Sequence, residues 1–224
     1  NCGTGCNTVI WTRGNEIFRI TPRENNDVNS SWMPDSHRLN FHYLHAETRL
    51  SEPFVRQDSR HEVADWHNAI SSAAEGLRSY TGEEIAVIGS GRMTNEELYL
   101  LRRLADTLDT DFLSLVPRFG ESDGKLIAAD RNPNTSGAKL IWAAANPYSK
   151  LEAIHKGIAQ GRIKALVVFY EDLLGDAGFE ATELNGLEFL VSNNILTNGT
   201  AKASDVVLPG AGFAEKRGSL VNIT

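Results

Sequence analysis

An alternation that begins near residue 85 limits most sharply what this chain can fold into. Ile85–Ile88 is a short, wholly apolar run, and Gly89-Ser90-Gly91 follows it directly. Thr94 and Glu97 stand at capping-box spacing ahead of Leu98, Leu101 and Leu104, which recur at helical intervals. Phe112–Val116 reads as the next strand. Ser149 and Glu152 offer a second capping box, with Leu151, Ile154 and Ile158 at helical spacing and Gly161 as the stop. Lys164–Tyr170 is the strongest strand signal, and Leu187–Val191 and Asp205–Leu208 are shorter ones. The stretch from Thr200 to Gly210 reads as a strand running into a Pro-Gly turn. Strand and helix in succession build βαβ units. The expected fold class is therefore α/β, an open and mainly parallel sheet with flanking helices. Upstream, Asp65–Tyr80 places Trp66, Ala69, Ile70, Ala73 and Leu77 on one helical face. Residues 117–148, rich in Gly, Pro, Asn and Asp, read as a long surface excursion.

The first 47 residues differ in character. Thr8–Thr12 and Glu16–Thr21 are short β-type runs joined by Arg13-Gly14-Asn15, a hairpin pattern. Polar, turn-rich residues 22–31 follow, then one or two helical turns within His37–His45. Two domains are expected: a small β-rich lobe over 1–47 and an α/β domain over 48–224. Apolar residues make up 41% of the 224, enough for a core, and the longest apolar runs are too short to span a bilayer. A net charge of −7 without a basic stripe argues against a nucleic-acid partner. Two cysteines do not make a disulfide framework, which points to a reducing, cytoplasmic setting. The chain opens without Met, inside a cysteine motif, as expected of a piece of a longer protein.

Three features could carry chemistry. Gly89-Ser90-Gly91 lies between a strand and a helix, where a dinucleotide loop would lie. Thr94, however, replaces the third glycine of that fingerprint, and Asp109 and Asp111 are poor matches for its acidic residue. The plainer reading is a tight turn. His37, His42 and His45 cluster, but Asp35 is the one acid near them before Glu47, so solvated or capping roles are expected. Cys2 and Cys6, separated by three residues in CGTGC, are the chain's only cysteines and look like half of a metal site. No nucleophile elbow, HExxH or Walker loop is present, and no catalytic residue is assigned.

Taken together, Asn1–Asn7, Arg19–Asn25, Val28–Asp35, Arg49–Arg56, Gly89–Glu97 and above all Ala203–Asn222 resemble the molybdopterin oxidoreductase family. Asp130–Gly137 and Ile158–Val168 resemble its branch in the G-type subunit of NADH-quinone oxidoreductase, respiratory complex I. The resemblance implies a formate dehydrogenase/DMSO reductase-like fold and a 4Fe-4S-type lobe. Members that hold the extra cluster carry C-x2-C-x3-C-x27-C. Cys2 and Cys6 match the second and third ligands, the first would precede residue 1, and the fourth position holds Pro34, which has no donor. The pair is thus expected to be a degraded site. A cluster would need upstream ligands, with His37 as a conceivable fourth. Gly89, Gly91, Gly210 and Gly212 match positions where relatives approach cofactor, and they are expected to be vestigial, with no cofactor in this chain. The implied role is a structural and redox subunit of the peripheral arm that passes electrons from NADH towards quinone. That role places it on the inner face of the cell membrane through its complex, without membrane insertion, among the other peripheral-arm subunits. The alternative is a formate dehydrogenase-like subunit binding a pterin dinucleotide. A third reading is a module that holds a nucleotide on Gly89-Ser90-Gly91 without catalysis.

Overall fold

The computed structural model describes residues 2–223, the side chain of Asp176 aside. The chain opens with a two-stranded antiparallel ribbon, β1 (Thr8–Arg13) and β2 (Glu16–Pro22). Gly14 and Asn15 both take positive φ, 58° and 65°, the turn whose twist suits a two-residue hairpin. The register steps between Trp11 and Thr12, so Trp11 faces Arg19 while Thr12 faces Ile17. Phe18 is left as the extra residue of a bulge on β2. Ile17 and Ile20 turn inward onto Phe41 and Leu44 and make a small core of their own. A single turn, α1 (Asp35–Arg38), and a 3-10 turn at His42–His45 complete this region.

The remainder is built on one seven-stranded sheet. A hairpin of β3 (Phe54–Gln57) and β4 (Arg60–Val63) precedes α2 (Trp66–Leu77). Then come β5 (Ile85–Gly89), α3 (Asn95–Thr107), β6 (Leu113–Leu115), α4 (Thr135–Ile141), α5 (Leu151–Ala159) and β7 (Ala165–Phe169). The short helices α6 (Leu173–Asp176) and α7 (Ala181–Asn185) lead to β8 (Phe189–Asn194), and α8 (Gly199–Ala203) leads to β9 (Val206–Pro209). The strand order is β4-β3-β9-β8-β7-β5-β6. The five strands from β9 to β6 are parallel, and the β3–β4 hairpin joins that sheet antiparallel through β9.

The alternation of strand and helix is thus realised as a mixed, mostly parallel sheet. Side chains of β7 alternate between two cores: Ala165 and Val167 meet α2, α3 and α4, and Leu166 and Val168 meet α5, α6 and α7. A strand covered on both faces can be apolar at every position. Each such aliphatic side chain contributes about 1.5–3 kcal/mol by leaving water.

Several local expectations fail for identifiable reasons. On α2, Ala69 and Leu77 are buried, but Trp66 and Ile70 are exposed at 49% and 54%, so the buried stripe is narrower than the sequence pattern. Ser149 is not a helix cap: Lys150 precedes α5 in αR backbone without a side-chain cap. Residues 117–148 are not all surface. Asn132, Asn134, Thr135, Gly137 and Ala138 are buried, and α4 forms there. Its Gly137 is required by close approach, since a Cβ would strike the Asn95 and Asn134 side chains. Finally, Gly199–Ala203 is a helical turn rather than strand, because Asn198 Oδ1 accepts the Ala201 N–H at 2.9 Å and caps it.

Candidate functional site

The chain leaves β5 towards β6 on one side and later places β7 on the other. Connections therefore diverge at the carboxyl ends of β5 and β7, the position where open α/β sheets form a crevice. Residues after β5 (Ser90–Arg92), β6 (Val116–Arg118), β7 (Tyr170–Asp172) and β9 (Gly210–Gly212) converge on it.

Ion pairs fill this edge. Glu171 is fully buried at the end of β7, and the Arg118 guanidinium grips it through both nitrogens, Nη1 to Oε1 at 2.7 Å and Nη2 to Oε2. Lys216 Nζ lies 3.0 and 2.7 Å from the two Glu97 oxygens and 4.3 Å above the Tyr170 ring. The Tyr170 hydroxyl donates to Glu97 Oε1 at 3.2 Å. Burial, and then the Glu97 charge, push its phenol well above the ordinary range. Tyr170 holds φ at 58°, an unfavourable backbone for an aromatic residue, and its ring is anchored by these contacts. Arg49 Nη2 donates to Glu215 Oε2 at 2.5 Å and to the Gly210 carbonyl at 3.2 Å. Tyr43 also packs here, its phenol raised by burial against the opposing pull of Arg92 and Arg49.

The four glycines sit against the chain's own atoms. A Cβ on Gly91 would lie 2.5 Å from Asn132 Cβ, one on Gly210 would lie 2.8 Å from Tyr170 Cε1, and those on Gly89 and Gly212 would overlap Leu101 and Leu44. Their backbone freedom is consumed by internal packing. Among the described residues, two buried polar atoms near this edge lack a hydrogen-bond partner, Asn132 Oδ1 and Arg49 Nη1.

A strap, residues 210–223, closes the edge from outside. Glu96, in the first turn of α3, accepts both the Ser219 N–H and its hydroxyl at 2.9 Å, which brings its carboxyl down to about 2. The strap then reaches the thiol loop. Asn134 Oδ1 accepts the Val221 N–H at 2.8 Å, and Gly3 O accepts the Ile223 N–H at 2.9 Å. Gly5, at φ 72°, leaves room for Asn222, whose Cβ would be 2.7 Å from an added methyl.

Within that loop Cys2 is buried and Cys6 is partly buried, and both are free thiols. The Cys2 thiol contacts Thr4 Oγ1 at 3.5 Å. Burial, then the neighbouring Cys2, raise the Cys6 thiol. Pro34 precedes α1 as its N-cap and offers no donor. His37 is partly buried, and burial, with Arg131 nearby, lowers its imidazole to about 4. A 4Fe-4S cluster takes four protein donors. The chain holds two cysteines, and among the described residues no three His, Cys, Asp or Glu side chains are grouped to hold a metal ion. Cys2 and Cys6 by themselves supply two of those four donors. His45 has a structural partner, its Nε2 accepting the Ile17 N–H at 3.1 Å.

The structure brings Gly89 and Gly91 to the crevice from one side and Gly210 and Gly212 from another, while Cys2 and Cys6 lie at the far end of the strap. Sequence reasoning missed the residues that dominate the edge: Glu171 with Arg118, Glu97 with Lys216, and Glu215 with Arg49. One signal was available. A carboxylate directly after the strongest strand of a parallel sheet must lie at the ligand-facing edge.

Residues 2–42 match the family model for the 4Fe-4S domain of NADH-ubiquinone oxidoreductase NDSU1/NuoG-like proteins. The chain is 31% identical over 111 residues to the G-type subunit of NADH-quinone oxidoreductase from Rickettsia felis, which covers 50% of this chain and 16% of that protein. It is 30% identical over 108 residues to the Bacillus subtilis oxidoreductase YjgC, covering 46% of this chain and 11% of the relative. A Staphylococcus aureus protein named as a formate dehydrogenase is 28% identical over 108 residues, again 46% of this chain and 11% of the relative. The chain therefore spans only about a tenth to a sixth of the length of these relatives.

Proposed function

We propose that this chain is a segment of a NuoG-type protein of NADH-quinone oxidoreductase, with a scaffolding role in the electron-passing peripheral arm. One observation carries this reading. Three cations at the crevice, Arg118, Lys216 and Arg49, are each already paired with a carboxylate of the same chain. A pterin dinucleotide that drew on those cations for its phosphates would have to break the pairs, and this stretch of chain holds no cysteine beyond Cys6. The match of the front lobe to the NuoG-like family and the Rickettsia relative support the same assignment. On this reading the sheet is a formate dehydrogenase/DMSO reductase-like domain over 48–224, behind a lobe over 1–47. Gly89, Gly91, Gly210 and Gly212 persist for packing, and Cys2 and Cys6 are the remnant of a cluster site. Partners are the other peripheral-arm subunits, on the cytoplasmic side of the cell membrane. Among the described residues no helix is long and apolar enough to cross a membrane.

Elemental analysis of anaerobically purified protein tests it, with Fe, Mo, W and Zn counted per chain and pterin sought as a fluorescent oxidation product after acid release. The expected result is neither metal nor pterin at stoichiometric level. Molybdenum or tungsten with pterin would overturn it in favour of the second reading, a formate dehydrogenase-like subunit, which the YjgC-type relatives favour. Iron near four per chain would overturn the remnant reading of CGTGC.

A further inference from the structure

The two edges of the β1–β2 ribbon are built differently. β2 carries the devices that keep a free edge from pairing: a bulge at Phe18, a proline at Pro22, and charges at Glu16 and Arg19. It is also the strand tied to the rest of the molecule, through Ile17 and Ile20. β1, TVIWTR, has no proline and no extra residue, and its one charge is at its last position. All six of its residues are exposed, Trp11 at 49% and Val9 at 39%. Among the described residues no backbone hydrogen bond of Thr8–Arg13 leaves the ribbon. An isolated two-stranded ribbon is marginal in water, and an unguarded, β-branched edge is a template for another strand.

Charge states which strand. Residues 8–23 hold Arg13, Arg19 and Arg23 against Glu16, a formal +2 in a chain of net −7. Arg19 lies over the Trp11 ring at 4.7 Å, and Trp11 Nε1 donates to Thr21 Oγ1 at 2.9 Å. The outer face of the ribbon is thus an aromatic platform, preset in position and rimmed by cations.

We propose that β1 is a docking edge for an extended, acidic segment of a partner protein, which adds to the ribbon as a third strand. Main-chain hydrogen bonds along β1 supply affinity. Apolar side chains of the incoming strand cover Val9 and Trp11, and its carboxylates meet Arg13 and Arg19, which sets partner choice. The proposal rests on the reading of this chain as one piece of a larger assembly. Its test is independent of that reading's metal and pterin measurements.

The test adds to the full chain a short peptide with two valines and a glutamate at successive same-face positions, threonine between them, and follows amide exchange by NMR. The expected result is a saturable slowing of the Thr8–Arg13 amides by about tenfold or more, weakened by salt. The matching valine–lysine peptide should give none, and the Arg13→Glu/Arg19→Glu double variant, both sites being exposed, should lose the effect while keeping its denaturation midpoint. Three results would overturn the proposal: no protection of β1, equal protection by the lysine peptide, or protection without peptide that rises with protein concentration together with a doubled mass by light scattering. The last would make a second copy of this chain the occupant.

Discussion

β1 (TVIWTR) and β7 (ALVVF) are both written in strong strand formers, yet their surroundings are opposite. β7 lies between β5 and β8 with helices on both faces, and Ala165, Leu166 and Val168 are fully buried. β1 has one neighbour and no buried residue. β-propensity therefore says that a segment suits a pleated surface and says nothing about whether that surface is covered. The difference separates a strand covered by its own chain on both faces and both edges from one whose outer edge is open.

The comparison would break most visibly at the carboxyl edge of the sheet. Glu171→Gln leaves the Arg118 guanidinium largely buried without its carboxylate, and the expected cost is about 3–5 kcal/mol in urea unfolding. A loss below about 1 kcal/mol would mean that the pair holds nothing together, and the claim of a self-neutralised crevice would fail.

Acid should separate the two regions in sequence. His37, in the lobe, has a folded pKa near 4 against 6.5 for the ordinary value. Between these values the unfolded chain binds the extra proton, so its contribution is present above pH 6.5 and is lost as pH falls through 4. Glu96, which clamps the strap, is depressed from 4.5 to about 2, so its contribution survives to lower pH and fades as pH falls from 4.5 towards 2. Exchange of lobe amides should accelerate before exchange of Ser219 and its neighbours. Simultaneous loss would show one cooperative unit.

The smallest expected effect sharpens the contrast. Trp11→Ser should change the stability of the isolated chain by no more than about 0.5 kcal/mol, as at other exposed positions. It should nonetheless remove the protection of β1 by the acidic peptide. A large stability loss would show that the aromatic platform serves the ribbon itself.

Much of the architecture was legible where a local rule operates. The capping box at Thr94 and Glu97 forms as spaced, with Glu97 N–H donating to Thr94 Oγ1 at 3.2 Å. The hairpin turn at Gly14 and Asn15 and the helix stop at Gly161, φ 67°, follow from backbone sterics alone. Trp66 and Ile70 share the face of Ala69 and Leu77 yet stay exposed, because periodicity locates a stripe but not its width. Ser149 was misjudged because a spacing is not a backbone conformation. The site was the least legible part. The glycines could be named as turn residues, but their neighbours could not.

Sequence by itself determined the alternation of strands and helices, hence a mostly parallel sheet, and the placing of both cysteines in CGTGC. Both depend on what a residue is and on neighbours a few positions away. Tertiary structure alone decided the strand order, the exposure of β1 and the closing of the crevice. Arg118 and Glu171 are 53 residues apart in the chain, Lys216 and Glu97 are 119 apart, and Arg49 and Glu215 are 166 apart. Pairing at such separations is paid for by the burial of the whole sheet, which fixes the positions of the partners before any one pair forms.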